Sequence, residues 1–113
     1  MYKEIQVGVK TVPMLSNAAT PLFFRQVFSK DLLVFLQSMN NGKGIIDGFS
    51  ETVSELAYVM NAQAEKKKIN ELNFDKFVEW LSDFESLDFE TASGDILGLY
   101  TSGGRTLSKP KKA

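Results

Sequence analysis

Apolar residues Val53, Leu56, Ala57, Met60 and Ala64 recur at i, i+3, i+4, i+7 and i+11 within residues 50–68. That spacing draws one stripe along an α-helix. Ser50 is placed to cap the first free N–H groups, Glu51 suits the positive end, and Lys66, Lys67 and Lys68 suit the negative end. Ser54, Glu55, Asn61 and Glu65 fall mostly on other faces. The pattern therefore predicts a one-sided central helix against which the rest of the chain packs.

Residues 2–15 predict a β-hairpin. Ile5 and Val7, then Val12 and Met14, alternate with polar neighbours, and the parity changes at Gly8-Val9. A two-residue loop with glycine first suits a type II′ turn. This register sets Ile5 opposite Val12 and Lys3 opposite Met14, and Pro13, which has no N–H, is expected on an open edge. After a loop over 16–19, Thr20-Pro21 opens a helix with Thr20 as cap. Phe24, Val27, Phe28, Phe35, Leu36 and Met39 keep a helical period up to Asn40-Asn41-Gly42. Either one kinked helix or two in tandem fits, the second capped by Ser29. Residues 40–49 read as a glycine-rich connection.

Beyond a second loop, Asn73 is the next cap. Phe74, Phe77, Val78, Leu81 and Phe84 form another stripe, with Trp80 off it. Asp88 is expected to cap a last helix with Phe89, Ala92, Ile96, Leu99 and Tyr100 inward, weakened by Gly94 and Gly98 and ended by Gly103-Gly104. The expected fold is mainly α (α+β): a short N-terminal hairpin, four to five amphipathic helices and a disordered basic tail. Residues 1–101 would form a single globular domain and residues 102–113 the tail.

Composition narrows the function. The 113 residues include no cysteine and no histidine. Their absence removes Ser–His and Cys–His nucleophile pairs, zinc sites of the usual ligand types and the common general base near neutral pH. A non-enzyme without cofactor or metal is expected. Net charge is −1, but residues 101–113 hold four bases and no acid, leaving nine bases against fourteen acids in the first hundred, a net of −5. An acidic body with a small basic tail is a poor nucleic-acid binder. Apolar runs of four or five residues are too short for a membrane span, and MYKEIQV lacks the apolar core of a secretory signal. A cytoplasmic setting is expected.

Gly42-Lys43-Gly44 matches neither phosphate-loop pattern and reads as a linker. Glu51/Glu55 and Glu79/Asp83 pair carboxylates on single helical turns, and solvated faces account for them. Residues 75–95 are more informative, with seven acids and one base, Lys76, among Phe77, Trp80, Phe84, Leu87 and Phe89. Two readings fit: amphipathic helices with solvated outer faces, or a surface on which exposed aromatics anchor a basic partner. The second makes Trp80, Phe84, Phe23, Asp83 and Glu85 the candidate partner-binding residues. Leftover apolar surface on so small a domain also points to a homo-oligomer.

The succession VPMLSNAATPLFFRQVFSKDLL, SELAYVMNAQAEK, FVEWLSDFE and GDILGLY, closing on a lysine-rich tail, resembles the tail assembly chaperones of tailed bacteriophages that infect Gram-positive bacteria. The resemblance spans about residues 12–112 and rests on the order of the blocks. It implies a helical, non-enzymatic protein that binds the tape measure protein, shields its apolar helices, helps recruit tail tube subunits, acts in the host cytoplasm and is absent from the mature virion. It also implies two product lengths made by ribosomal frameshifting, and Lys111-Lys112 permits the slippery codons AAA AAG. A small structural virion component, such as a connector or tail-completion subunit, is the competing expectation.

Overall fold

In a computed structural model, residues 1–39 and 49–105 are described. Residues 40–48 of the glycine-rich connection expected over 40–49, and residues 106–113 of the expected tail, lie outside them, while Phe49 opens α3. The described residues form a hairpin, β1 (Tyr2–Val7) and β2 (Lys10–Leu15), followed by α1 (Thr20–Phe28), α2 (Leu32–Met39), α3 (Phe49–Ala64), a 3-10 turn (Ile69–Glu71), α4 (Phe74–Leu81), α5 (Asp88–Thr91) and α6 (Ser93–Arg105). The expected class, a hairpin followed by helices, is the observed one. No helix among these residues is long and apolar enough to cross a membrane.

The hairpin has the predicted register, with Ile5 opposite Val12 and Lys3 opposite Met14. Gly8 holds φ at +63° while Val9 keeps a negative φ, the combination of a type II′ rather than a type I′ turn. Only glycine suits this position, because a Cβ there would also meet the carboxylate of Asp88. Ile5, Val7, Val12 and Met14 are buried, whereas Tyr2, Glu4, Gln6 and Thr11 face outward. The strand period of two thus lays one apolar face on the helices.

The central helix departs from its predicted one-sidedness. In α3 every residue from Thr52 to Gln63 is buried, because β2, α1, α4, α5 and α6 all pack around it. Its enclosed polar side-chain atoms are tolerated because they have partners. Lys30 Nζ donates to the Glu55 carboxylate at 3.0 and 3.3 Å, and Asn61 Nδ2 donates to the Pro13 carbonyl at 2.9 Å. Gln63 accepts from Thr20 Oγ1 at 2.7 Å and donates to Asn17 Oδ1 at 2.9 Å. Among the described residues no buried side-chain nitrogen or oxygen lacks a partner. The Asn61 contact also means that the edge of β2 is covered at Pro13, not open there.

Four caps differ from expectation, each because a more distant or differently placed group competes. Thr20 gives its hydroxyl to Gln63 and makes no side-chain cap to its own helix. Ser50 lies inside the first turn of α3 and donates to Glu90 Oε2 at 2.7 Å. Asp88 accepts from the Glu85 N–H of the preceding turn at 2.9 Å. Ser29 adopts φ 57° at the end of α1, so α1 and α2 are two helices in tandem, and Asp31 serves α2 by accepting from Leu33 N–H at 2.9 Å. Asn73 does cap α4, accepting from Lys76 N–H at 2.8 Å.

The last helix is interrupted at Ala92, which divides α5 from α6, and α6 then continues through Gly103-Gly104 to Arg105. A glycine lowers helix propensity by about 1 kcal/mol, which by itself does not end a helix. The helix thus crosses the boundary expected at residue 101.

At the end of α3, Lys67 N–H bonds to Ala62 O and Lys66 N–H to Gln63 O, both at 3.0 Å, with Lys66 at φ 63°. This Schellman closure normally uses glycine at the left-handed position. Lys66→Gly is expected to stabilise the fold by about 0.5–1 kcal/mol, seen as a thermal midpoint raised by a few degrees. An unchanged or lower midpoint would contradict the strain argument.

Two joined clusters make the core. The larger unites the hairpin with Phe24, Leu32, Val53, Leu56, Met60, Phe89, Ile96 and Leu99. The smaller comprises Tyr58, Ala62, Leu72 and Phe77. Phe23, Phe28, Trp80 and Leu81 touch both.

Candidate functional site

The α4 stripe is rotated relative to its predicted direction. Phe77 is buried, but Phe74 and Val78 are 54% and 47% exposed, and Trp80 turns inward to half-burial. The indole stacks against Tyr58 at 5.5 Å, Phe84 at 5.0 Å and Phe89 at 5.5 Å between ring centroids. Trp80 is therefore a member of the aromatic core with one edge at the surface, not an indole standing clear of it. Because α4 stops at Leu81, a turn instead of the helix carries Phe84 back beneath Trp80, with Phe84 N–H bonded to Leu81 O at 3.0 Å.

That surface edge lines an open cleft of about 310 Å³ between β2 and the end of α4. Lys10, Thr11, Val12 and Pro13 form one wall, Trp80, Asp83 and Phe84 the other, and Asn61 of α3 and Glu65 just past its end lie between them. Three of the five candidate residues, Trp80, Asp83 and Phe84, thus come together. Phe23 does not join them, since it sits half-buried on α1 against both core clusters. Glu85 is exposed outside the cleft lining. The hairpin wall and Glu65 were missed by sequence reasoning, which had no means of setting β2 beside α4.

The phase of the hairpin fixes what β2 presents to the cleft. Met1 and Ser16 exchange backbone bonds, with Ser16 N–H to Met1 O at 2.8 Å. Hydrogen-bonded pairs alternate along an antiparallel ladder, so Thr11 and Pro13 point their backbone groups away from β1. The Pro13 carbonyl is taken by Asn61. Thr11 is left with its backbone N–H and C=O facing outward.

Among the acids, Glu55 is the one set apart by its surroundings. Burial raises its pKa above the ordinary carboxylate value, Lys30 partly offsets the rise, and Glu51 adds to it. Burial likewise raises the Tyr58 and Tyr100 hydroxyls. Glu51, Glu79 and Asp83 are exposed, so neither carboxylate pair is enclosed in a pocket. Among the described residues no group of three or more potential ligands is arranged to hold a metal ion.

Compared with protein-family models, with curated proteins and with solved structures, the chain gives no match.

Proposed function

We propose that this chain is a non-enzymatic tail assembly chaperone that binds the tape measure protein and helps recruit tail tube subunits in the host cytoplasm. The order of the sequence blocks suggests the family. The structural observation that carries the reading is the exposed apolar edge of α4: Phe74 and Val78, at i and i+4, continue towards half-buried Leu81. Asp75 and Glu79 lie beside them. An amphipathic partner helix docks on such a stripe through its own i, i+3 and i+4 anchors, and a long helical rod needs its apolar stripe covered to stay dispersed. Leu22 on α1 and Leu33 on α2, 63% and 60% exposed, offer surface for self-association.

A chaperone leaves the particle and a connector or tail-completion subunit stays in it. Mass spectrometry of purified virions is expected to find tube and tape measure peptides without peptides of this chain. Its presence at a fixed copy number would favour the structural component. The gene supplies a second check on the family reading: A AAA AAG at Lys111-Lys112, followed by an open −1 frame, is expected. Codons that break the run of adenines would count against an extended product.

A further inference from the structure

The cleft between β2 and α4 combines three features that suit one kind of ligand. Its aromatic wall is made by Trp80 and Phe84, whose ring centroids are 5.0 Å apart and whose planes are tilted by 55°. Its charges are two carboxylates, Asp83 and Glu65, against a single cation, Lys10. Glu65 lies 3.6 Å from Lys67, whereas no hydrogen bond or ion pair engages the Asp83 carboxylate among the described residues. Its strand wall ends in the outward backbone groups of Thr11, a place where an edge can accept another chain.

We propose that this cleft receives an extended basic segment of a partner protein, with an arginine or lysine side chain laid against Trp80 and Phe84 and paired with Asp83. A guanidinium can stack on an aromatic face and bond a carboxylate at its rim at the same time. The segment's backbone pairs with Thr11, so main-chain bonds hold it while the basic side chain selects it. The volume lies at the small end of ligand pockets, which suits one long side chain. A partner helix does not fit, because Val12, Pro13, Trp80 and Phe84 are the only large apolar residues of the lining. The seven acids against one base in residues 75–95 favour approach of a basic chain. This inference stands apart from the tape measure reading, which rests on the exposed edge of α4.

Trp80 is the only tryptophan, so its fluorescence reports directly on the cleft. The test titrates the full chain with an acetylated, amidated pentapeptide, Thr-Val-Arg-Val-Thr, and with the same peptide carrying citrulline in place of arginine. A saturable spectral change is expected with the arginine peptide, about tenfold weaker with citrulline and about tenfold weaker in Asp83→Asn, given the strength of a charge-assisted contact. Asp83 is exposed, so Asp83→Asn is expected to keep the circular dichroism and melting of the parent. The arginine peptide should also weaken with added salt. No saturable change, equal binding of the two peptides, or an unaffected Asp83→Asn variant would overturn the proposal. Tighter peptide binding after removal of residues 106–113 would also overturn it, by making the chain's own basic end the occupant.

Discussion

Phe77→Ala is expected to remove about 3–5 kcal/mol of stability, the range for emptying an aromatic site in a packed core. Phe77 is 2% exposed, and its ring lies 4.9 Å from Phe28 on α1 and 5.4 Å from Tyr58 on α3. It fixes α4 to α1 and α3, beside the contacts of Trp80 to α3 and α5. A domain of this size has roughly 5–15 kcal/mol in total, so the substitution uses up much of the margin. The thermal midpoint should fall by about 12 °C or more, at roughly 4–8 °C per kcal/mol. Phe77→Leu, which keeps most of the volume, should lose less than half as much. A loss under about 1 kcal/mol for the alanine variant would mean that α4 is only loosely attached.

Lys30→Met is expected to give the second large effect, with a characteristic pH dependence. It leaves the Glu55 carboxylate buried with no cation beside it. Removing one partner of a fully buried pair costs about 3–5 kcal/mol, but the Lys30 side chain is 44% exposed, so a loss of about 1–3 kcal/mol at pH 7 is expected. Glu55 has a folded-state pKa above its unfolded value. Its contribution to stability is thus fully present below the unfolded pKa and is lost as pH rises through the folded one. Without Lys30 the folded pKa should rise further. Urea unfolding at pH 5 and pH 7 should show Lys30→Met recovering stability on acidification more than the parent does. Glu55→Gln, with no charge to bury, should lack this contribution to the slope. Identical pH slopes in all three proteins would contradict the account.

The elements written in local code were legible in the sequence. Alternation around Gly8-Val9 was enough for the hairpin and its register, since the turn type and period fix which residues face each other. Asn73 capped as expected because its partner is only three residues away. The central helix was misjudged because its polar residues are satisfied by groups far along the chain: Lys30 for Glu55, Pro13 for Asn61, Thr20 and Asn17 for Gln63. A periodicity argument assigns such residues to solvent and cannot see those partners. The same competition took Thr20 and Ser50 from their expected caps. Trp80, Asp83 and Phe84 were identified through the acidic, aromatic composition of residues 75–95. Thr11 and Glu65 carry no comparable signal, and only the packing of β2 and α3 brings them to the cleft.

If the chain acts as proposed, the exposed edge of α4 keeps a helical tape measure protein dispersed. Co-expression with the tape measure protein of the same genome, scored by the soluble tape measure fraction and by co-purification, decides this. The parent chain is expected to hold the tape measure protein in solution and to co-purify with it. The double variant Phe74→Glu, Val78→Glu alters only exposed positions and should keep its melting transition while losing both effects. A tape measure protein that stays insoluble beside the parent chain, or dissolves equally well beside the double variant, would contradict the claim.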